Sequence, residues 1–224
     1  MKFNMGLIAI LFGMGLAFAI APAGNWTVLS TSYYSSATNA SVLTQGGNVT
    51  NLALSSNTST LKWAGYWGNV TGGLLLAPSS GSFSFYTWAW NASKGGEVCS
   101  VAAATGFNWA AVAATTAGVV DTTWGFTTTD PDSATNTLTQ GSCAITIGGV
   151  ALSTVGNFTG IGTNFETCAV DDGATTHMSD FAFCVNITTN GTLFNNQTGN
   201  YQLIMPTNNT AGTTSTDYFW LDLK

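Results

Sequence analysis

The sequence predicts an all-β fold: a single β-sandwich or barrel-like domain, jelly-roll or immunoglobulin-like, after an N-terminal hydrophobic segment. Three observations predict it. After residue 22 no stretch repeats apolar residues at the spacing of an amphipathic helix. Short runs rich in Val, Thr, Phe, Tyr and Trp recur instead, separated by Gly, Pro, Asn and Asp. Charge is sparse, with Asp, Glu, Lys and Arg making 6% of 224 residues, against about 25% in an ordinary soluble domain. Helices need such charges on their wet faces. Strands can wet theirs with Thr, and this chain has 36.

The elements follow in order. Residues 1–21 open with Lys2 and an apolar run from Met5 to Ile20. Small residues at Ala17 and Ala19, and again at Ala19 and Ala21, suit a signal peptidase, with cleavage after Ala19 favoured because Pro22 would follow Ala21. Two other readings stand beside this one. Met5-Gly6 before Leu7-Ile8 is similar to a prepilin signal, whose helix would stay in the mature protein; or the segment is an uncleaved membrane anchor. Residues 22–224 form one β-rich extracellular domain, since no linker divides them.

Within it, Trp26 to Leu29 opens the first strand. Asn69 to Ala77 and Ser82 to Trp90 make a hairpin around Pro78-Ser79-Ser80-Gly81. Both faces of its second arm are bulky, which predicts a central strand covered on both sides. Further strands are expected over 97–103, 107–114, 119–128, 143–147, 180–187, 201–205 and 218–223, with a short helix as the alternative over the Ala-rich 101–114. Turns are expected at Gly95-Gly96, Asp130-Pro131-Asp132, Gly148-Gly149, Asn190-Gly191 and Pro206-Thr207-Asn208-Asn209.

A net charge of −6 without a single Arg excludes nucleic acid as a partner. Enzymatic chemistry finds no support: His177 is the one histidine, no G-x-S-x-G elbow occurs, and nothing brings together the two Glu residues, Glu97 and Glu166. No cofactor is expected. The one cluster with ligand chemistry is Asp171, Asp172, His177 and Asp180, a weak candidate for Ca²⁺ or a transition metal; a solvated loop with Asp as turn former is the plainer reading. Asp130 and Asp132 begin like a calcium loop, but Ala134 interrupts it, so a turn is expected.

Four cysteines, Cys99, Cys143, Cys168 and Cys184, show no CxxC spacing and read as two disulfides. Three pairings are open, and the sequential one, Cys99–Cys143 with Cys168–Cys184, closes the shortest loops. Asn-x-Ser/Thr acceptor sites begin at Asn25, Asn39, Asn48, Asn57, Asn69, Asn91, Asn157, Asn186, Asn190, Asn196 and Asn208. Chance gives about five in this composition, so the excess favours N-linked glycans on an exported chain.

Trp63-Ala64-Gly65-Tyr66-Trp67-Gly68 is the most distinctive segment, read as core rings or as a sugar-stacking platform. Trp67 to Gly72, Tyr86 to Trp90 and Gly96 to Val98 together resemble a segment of secreted archaeal cell-surface proteins. That resemblance covers about 40 residues and implies export to an archaeal surface, without an activity.

Together these features predict an extracellular structural protein. It would be a homopolymer subunit of a glycosylated surface filament or layer, assembling through uncharged strand edges, with 25–34 donated to a neighbour's sheet. The alternatives are a glycan-binding adhesin using exposed Trp and Tyr, and a pilin-like subunit keeping its N-terminal helix. Membrane contact is expected only through residues 1–21, if uncleaved.

Overall fold

The computed structural model of the protein describes residues 21–22, 26–34, 41–79, 83–158, 164–207 and 213–224. The signal, pilin and anchor readings of residues 1–20 lie outside the described residues.

In chain order the strands are β1 (Ala21–Pro22), β2 (Trp63–Gly68), β3 (Gly73–Leu76), β4 (Tyr86–Ala89), β5 (Gly96–Val101), β6 (Ala113–Ala114), β7 (Thr139–Ile147), β8 (Val150–Phe158), β9 (Glu166–Asp171), β10 (Phe181–Asn186), β11 (Gly191–Thr192), β12 (Thr198–Gly199), β13 (Tyr201–Pro206) and β14 (Tyr218–Leu223). Two short helices, α1 (Ala117–Trp124) and α2 (Ala134–Thr137), precede β7. The fold is all-β, as its sequence pattern predicts.

One antiparallel sheet dominates, in the order β1-β14-β5-β10-β9-β8-β7, with β6 paired to the end of β9. Its central strands are buried on both faces, and their side chains alternate between two cores. In β10, Phe181, Phe183 and Val185 join one cluster and Ala182 and Cys184 the other. The first face is covered by a second, smaller layer. Leu203 and Met205 of β13 lie against it, with Trp63 and Tyr66 of β2 behind, and α1 lays Val120 and Trp124 beside them. Trp124 meets the rings of Phe181 and Phe183 edge-on, at 5.4 and 5.7 Å. The second face is closed by β7, which leans back over the sheet. Ile145 and Ile147 pack there, Ala144 O accepts from Asn186 Nδ2 at 3.5 Å, and Thr146 O accepts from Lys224 Nζ at 2.9 Å. The architecture is sandwich-like, with unequal layers.

Four expectations are overturned. Residues 119–128 are largely helical. Thr116 Oγ1 accepts the Val119 N–H and Gly125 closes the helix in the left-handed conformation. These caps, with Ala117, Val120 and Trp124 buried on one side, outweigh the β-branched Val pair. The β3–β4 hairpin forms where expected, yet its second arm is not central: among the described residues both strands pair only with each other, and every residue in them is exposed. Residues 26–29 enter no ladder, and 107–114 contribute just the two-residue β6 and a 3₁₀ turn over Trp109–Ala111.

Candidate functional site

The two ends of the large sheet differ. At one end β7 is folded inward against the second face. At the other, β14 is the last full strand, and among the described residues β1 covers its outer side through two residue pairs, Ala21 with Leu221 and Pro22 with Trp220. β14 reads YFWLDL, and its single charge, Asp222, is buried against the sheet. No lysine or other charge on β14 itself guards its outer edge, which is the usual device against strand addition.

Residues 26–34 and 41–60 join no ladder, and all but Ser59 are exposed. Trp26 is 71% and Leu29 92% exposed. Trp-Thr-Val-Leu-Ser-Thr-Ser-Tyr-Tyr, residues 26–34, has the β-branched and aromatic content of a strand. A second exposed apolar surface is the β3–β4 ribbon, carrying Leu74, Leu75, Leu76, Tyr86 and Trp88, with the Tyr86 and Trp88 rings 4.6 Å apart. Of the other tryptophans, Trp90 and Trp124 are core, Trp63 packs against it, and Trp67 stands half out against Phe194.

The disulfides are Cys99–Cys184 and Cys143–Cys168, not the sequential pairing. The reason is register. Cys99, Cys184 and Cys168 lie opposite one another on the adjacent strands β5, β10 and β9. Cys184 therefore has a cysteine on each side, and loop length does not decide between them. Cys143 reaches Cys168 across β8, where Gly156 faces Cys168 and a Cβ would run into Cys143. Glycine leaves the room that this bridge needs. Two disulfides are consistent with folding in an oxidising environment.

The Asp171–Asp180 loop spends its carboxylates on nearby backbone N–H and hydroxyl groups. Asp171 Oδ1 accepts from Gly173 N–H, and Asp172 from Asn108 and Ala174 N–H. Asp180 Oδ2 accepts from His177 and Thr176 N–H, at 2.9 and 3.0 Å. Burial works against ionising Asp180, but these donors win and hold its pKa below the usual range. His177 is exposed, with Nδ1 3.6 Å from Asp180. Among the described residues no three ligating side chains converge.

Eight of the acceptor asparagines are described. Asn48, Asn57, Asn69, Asn91, Asn186, Asn190 and Asn196 are exposed and Asn157 is half-buried. Asn25, Asn39 and Asn208 lie outside the described residues.

Two side-chain clusters have no forerunner in the sequence pattern. In the first, Lys62 Nζ sits 2.8 Å from Asp130 and 2.5 Å from Asp132, with the Phe126 ring 5.7 Å away. Asp132 also accepts from Thr60 Oγ1 at 2.7 Å, and its carbonyl from Trp63 Nε1. Hydrogen bonds to Asp130 and Asp132 hold the ammonium above its ordinary pKa against burial, and Lys62 in turn pulls Asp132 down. In the second, Lys224 Nζ lies 2.5 Å from Glu97 Oε1, and Asp222 is the cross-strand partner of Glu97. Glu97 is 3% and Asp222 4% exposed, and Glu97 Oε2 and Asp222 Oδ2 are buried without a hydrogen-bond partner. Burial pushes Glu97 up to about 7; Lys224 opposes the rise and Asp222 adds to it. Glu166, the other Glu, is on β9, with β10 between it and β5. It lines a shallow open hollow with Asn164 and Asn186.

What the fold and these surfaces define is a disulfide-crossed, sandwich-like β-domain with an unpaired apolar arm. Comparison of the chain with protein-family models, with curated proteins and with solved structures found no match.

Proposed function

We propose that the protein is an exported, glycosylated structural subunit that assembles with copies of itself into a surface filament or layer, residues 26–34 of one copy adding a strand to β14 of the next. The observation that carries this reading is the pairing of an open sheet edge with an unpaired arm in one chain. Among the described residues β14 is covered for two residue pairs, and the strand-like stretch 26–34 comes next among those described. Strand addition would satisfy the edge's backbone groups and remove the arm's side chains from water, each large apolar one contributing roughly 1.5–3 kcal/mol when fully buried. The disulfides, the surface placement of seven acceptor asparagines and the likeness of the 67–98 segment to archaeal surface proteins support export.

Deleting residues 26–34, which keeps β1, tests it. The expected outcome is a folded monomer by light scattering that forms no particles in negative-stain images, where the full chain does. Polymers of the shortened chain would overturn the reading.

The exposed Tyr86–Trp88 pair favours a second role on the same molecule, sugar stacking at the β3–β4 ribbon. Trp88→Ala should then lose retention on a glycan array while assembly persists.

A further inference from the structure

The cluster of buried Glu97 and Asp222 with the partly open Lys224 is used neither by the edge nor by the arm. Its parts come from distant stretches: Glu97 and Lys224 are 127 residues apart. β14 brings them together. Asp222 lies opposite Glu97, and the approach is so close that a Cβ at Gly96 would overlap Asp222 O. Gly96 has φ +138°, which side chains rarely adopt, so glycine is what lets the strands meet here. Lys224 Nζ is then fixed by Glu97 Oε1 and by Thr146 O.

As an ion pair beside a second carboxyl group the arrangement is expensive. Two carboxyl groups are withdrawn from water with one cation, which pairs with Glu97 alone, and one oxygen of each has no donor. A single covalent step removes the problem. We propose that Lys224 Nζ and the Glu97 side-chain carboxyl condense to an isopeptide bond, with Asp222 moving the protons.

The step balances within the cluster. The reactants are the Lys224 ammonium, a protonated Glu97 and the Asp222 carboxylate. The ammonium passes a proton to Glu97 Oε1 as Glu97 passes its own to Asp222, and the freed amine attacks Glu97 Cδ. Asp222 returns the proton to the Glu97 hydroxyl, the C–O bond breaks and water leaves. The nitrogen's second proton then passes to Asp222, leaving one hydrogen on the amide. Asp222 ends as a neutral acid able to donate to the new amide carbonyl, so the two orphaned oxygens satisfy each other. No external oxidant or activator is needed, and the fixed geometry supplies the effective concentration. The high pKa of Glu97 keeps the electrophile protonated near neutrality. The bond would tie the last strand to β5 independently of whether copies assemble.

The test uses the full chain, purified with its disulfides formed, then unfolded in urea and treated with an amine-acetylating reagent. Peptide mapping should find Lys62 and Lys94 acetylated and Lys224 not. The peptides carrying Glu97 and Lys224 should be joined, at a mass one water below their sum. Full acetylation of Lys224 with two separate peptides would overturn the proposal. Lys224→Arg keeps the cation, so a folded protein with the two peptides unlinked is expected. Asp222→Asn, confirmed folded by circular dichroism, should restore most of the Lys224 labelling. Undiminished linkage in that variant would remove Asp222 from the step.

Discussion

Two lysines in this molecule sit in clusters with two carboxyl groups, Lys62 bonded to both and Lys224 to Glu97 alone, and the clusters differ mainly in the water around the acids. At Lys62 the amine is buried, but Asp130 and Asp132 are 43% and 38% exposed. Water, Thr60 and the ammonium stabilise the carboxylates, and Asp132 ionises more readily than usual. At Lys224 the order is reversed: the amine is partly open and the carboxyl groups are buried. There Glu97 resists ionisation and rises to about 7. The same three groups thus make a stable ion cluster where the acids are wet and a reactive set where they are dry.

The largest expected effect lies at the dry site. A Glu97–Lys224 bond closes a covalent loop of about 42 residues, because Cys99–Cys184 shortens the path. Lys224→Arg, which keeps the charge and loses the tie, should cost about 4 kcal/mol by the loop-entropy relation. Urea midpoints of the two proteins measure it. An equal midpoint would place the two lysines in one class.

The same variant exposes the next effect. Without the tie Glu97 titrates, facing Asp222 and the cation at 224. Its folded pKa, about 7, exceeds the ordinary 4.5. The folded state therefore binds the extra proton. The contribution is fully present below 4.5 and is lost as pH rises through about 7, on the order of 3 kcal/mol over that window. Urea unfolding of Lys224→Arg at several pH values should show this fall. The linked wild type should not, because its Glu97 is an amide.

Neither cluster was legible in the sequence, and the reasons are physical. The strand over 180–187 could be read from its residues alone, as could the Gly148-Gly149 turn and β14, whereas bulky groups on both faces of Ser82–Trp90 misled, because that ribbon is exposed. The Asp130-Pro131-Asp132 turn was readable for the same local reason; its guest, Lys62, is about 70 residues away and no local rule points to it. Glu97 and Lys224 meet only through the β5–β14 register. Register also explains the cysteines, since Cys184 has one cysteine on either side and loop length cannot choose. The helix over 117–124 was hidden by Val119-Val120, which look like strand; its caps, Thr116 and Gly125, were the available signal. For the site, the composition pointed to open, uncharged edges, and the arm at 26–34 was legible as a candidate strand, whereas its lack of a partner depends on the whole sheet.

The smallest expected effect tests the wet site and has the opposite pH sign. Asp132→Asn removes one anion from Lys62 but leaves Asp130 and the amide oxygen as acceptors. The carboxylate is more than a third exposed, so screening limits the loss to about 1 kcal/mol or less. Asp132 has a folded pKa below its ordinary 3.8. Its stabilisation is thus present above 3.8 and is lost as pH falls through the lower folded value. Comparing wild type with Asp132→Asn by thermal unfolding should show a small difference near neutrality that shrinks in acid and in high salt. A difference that instead grew in acid, or that made Lys62 resist acetylation after unfolding, would mean that exposure of the acids does not separate the two clusters.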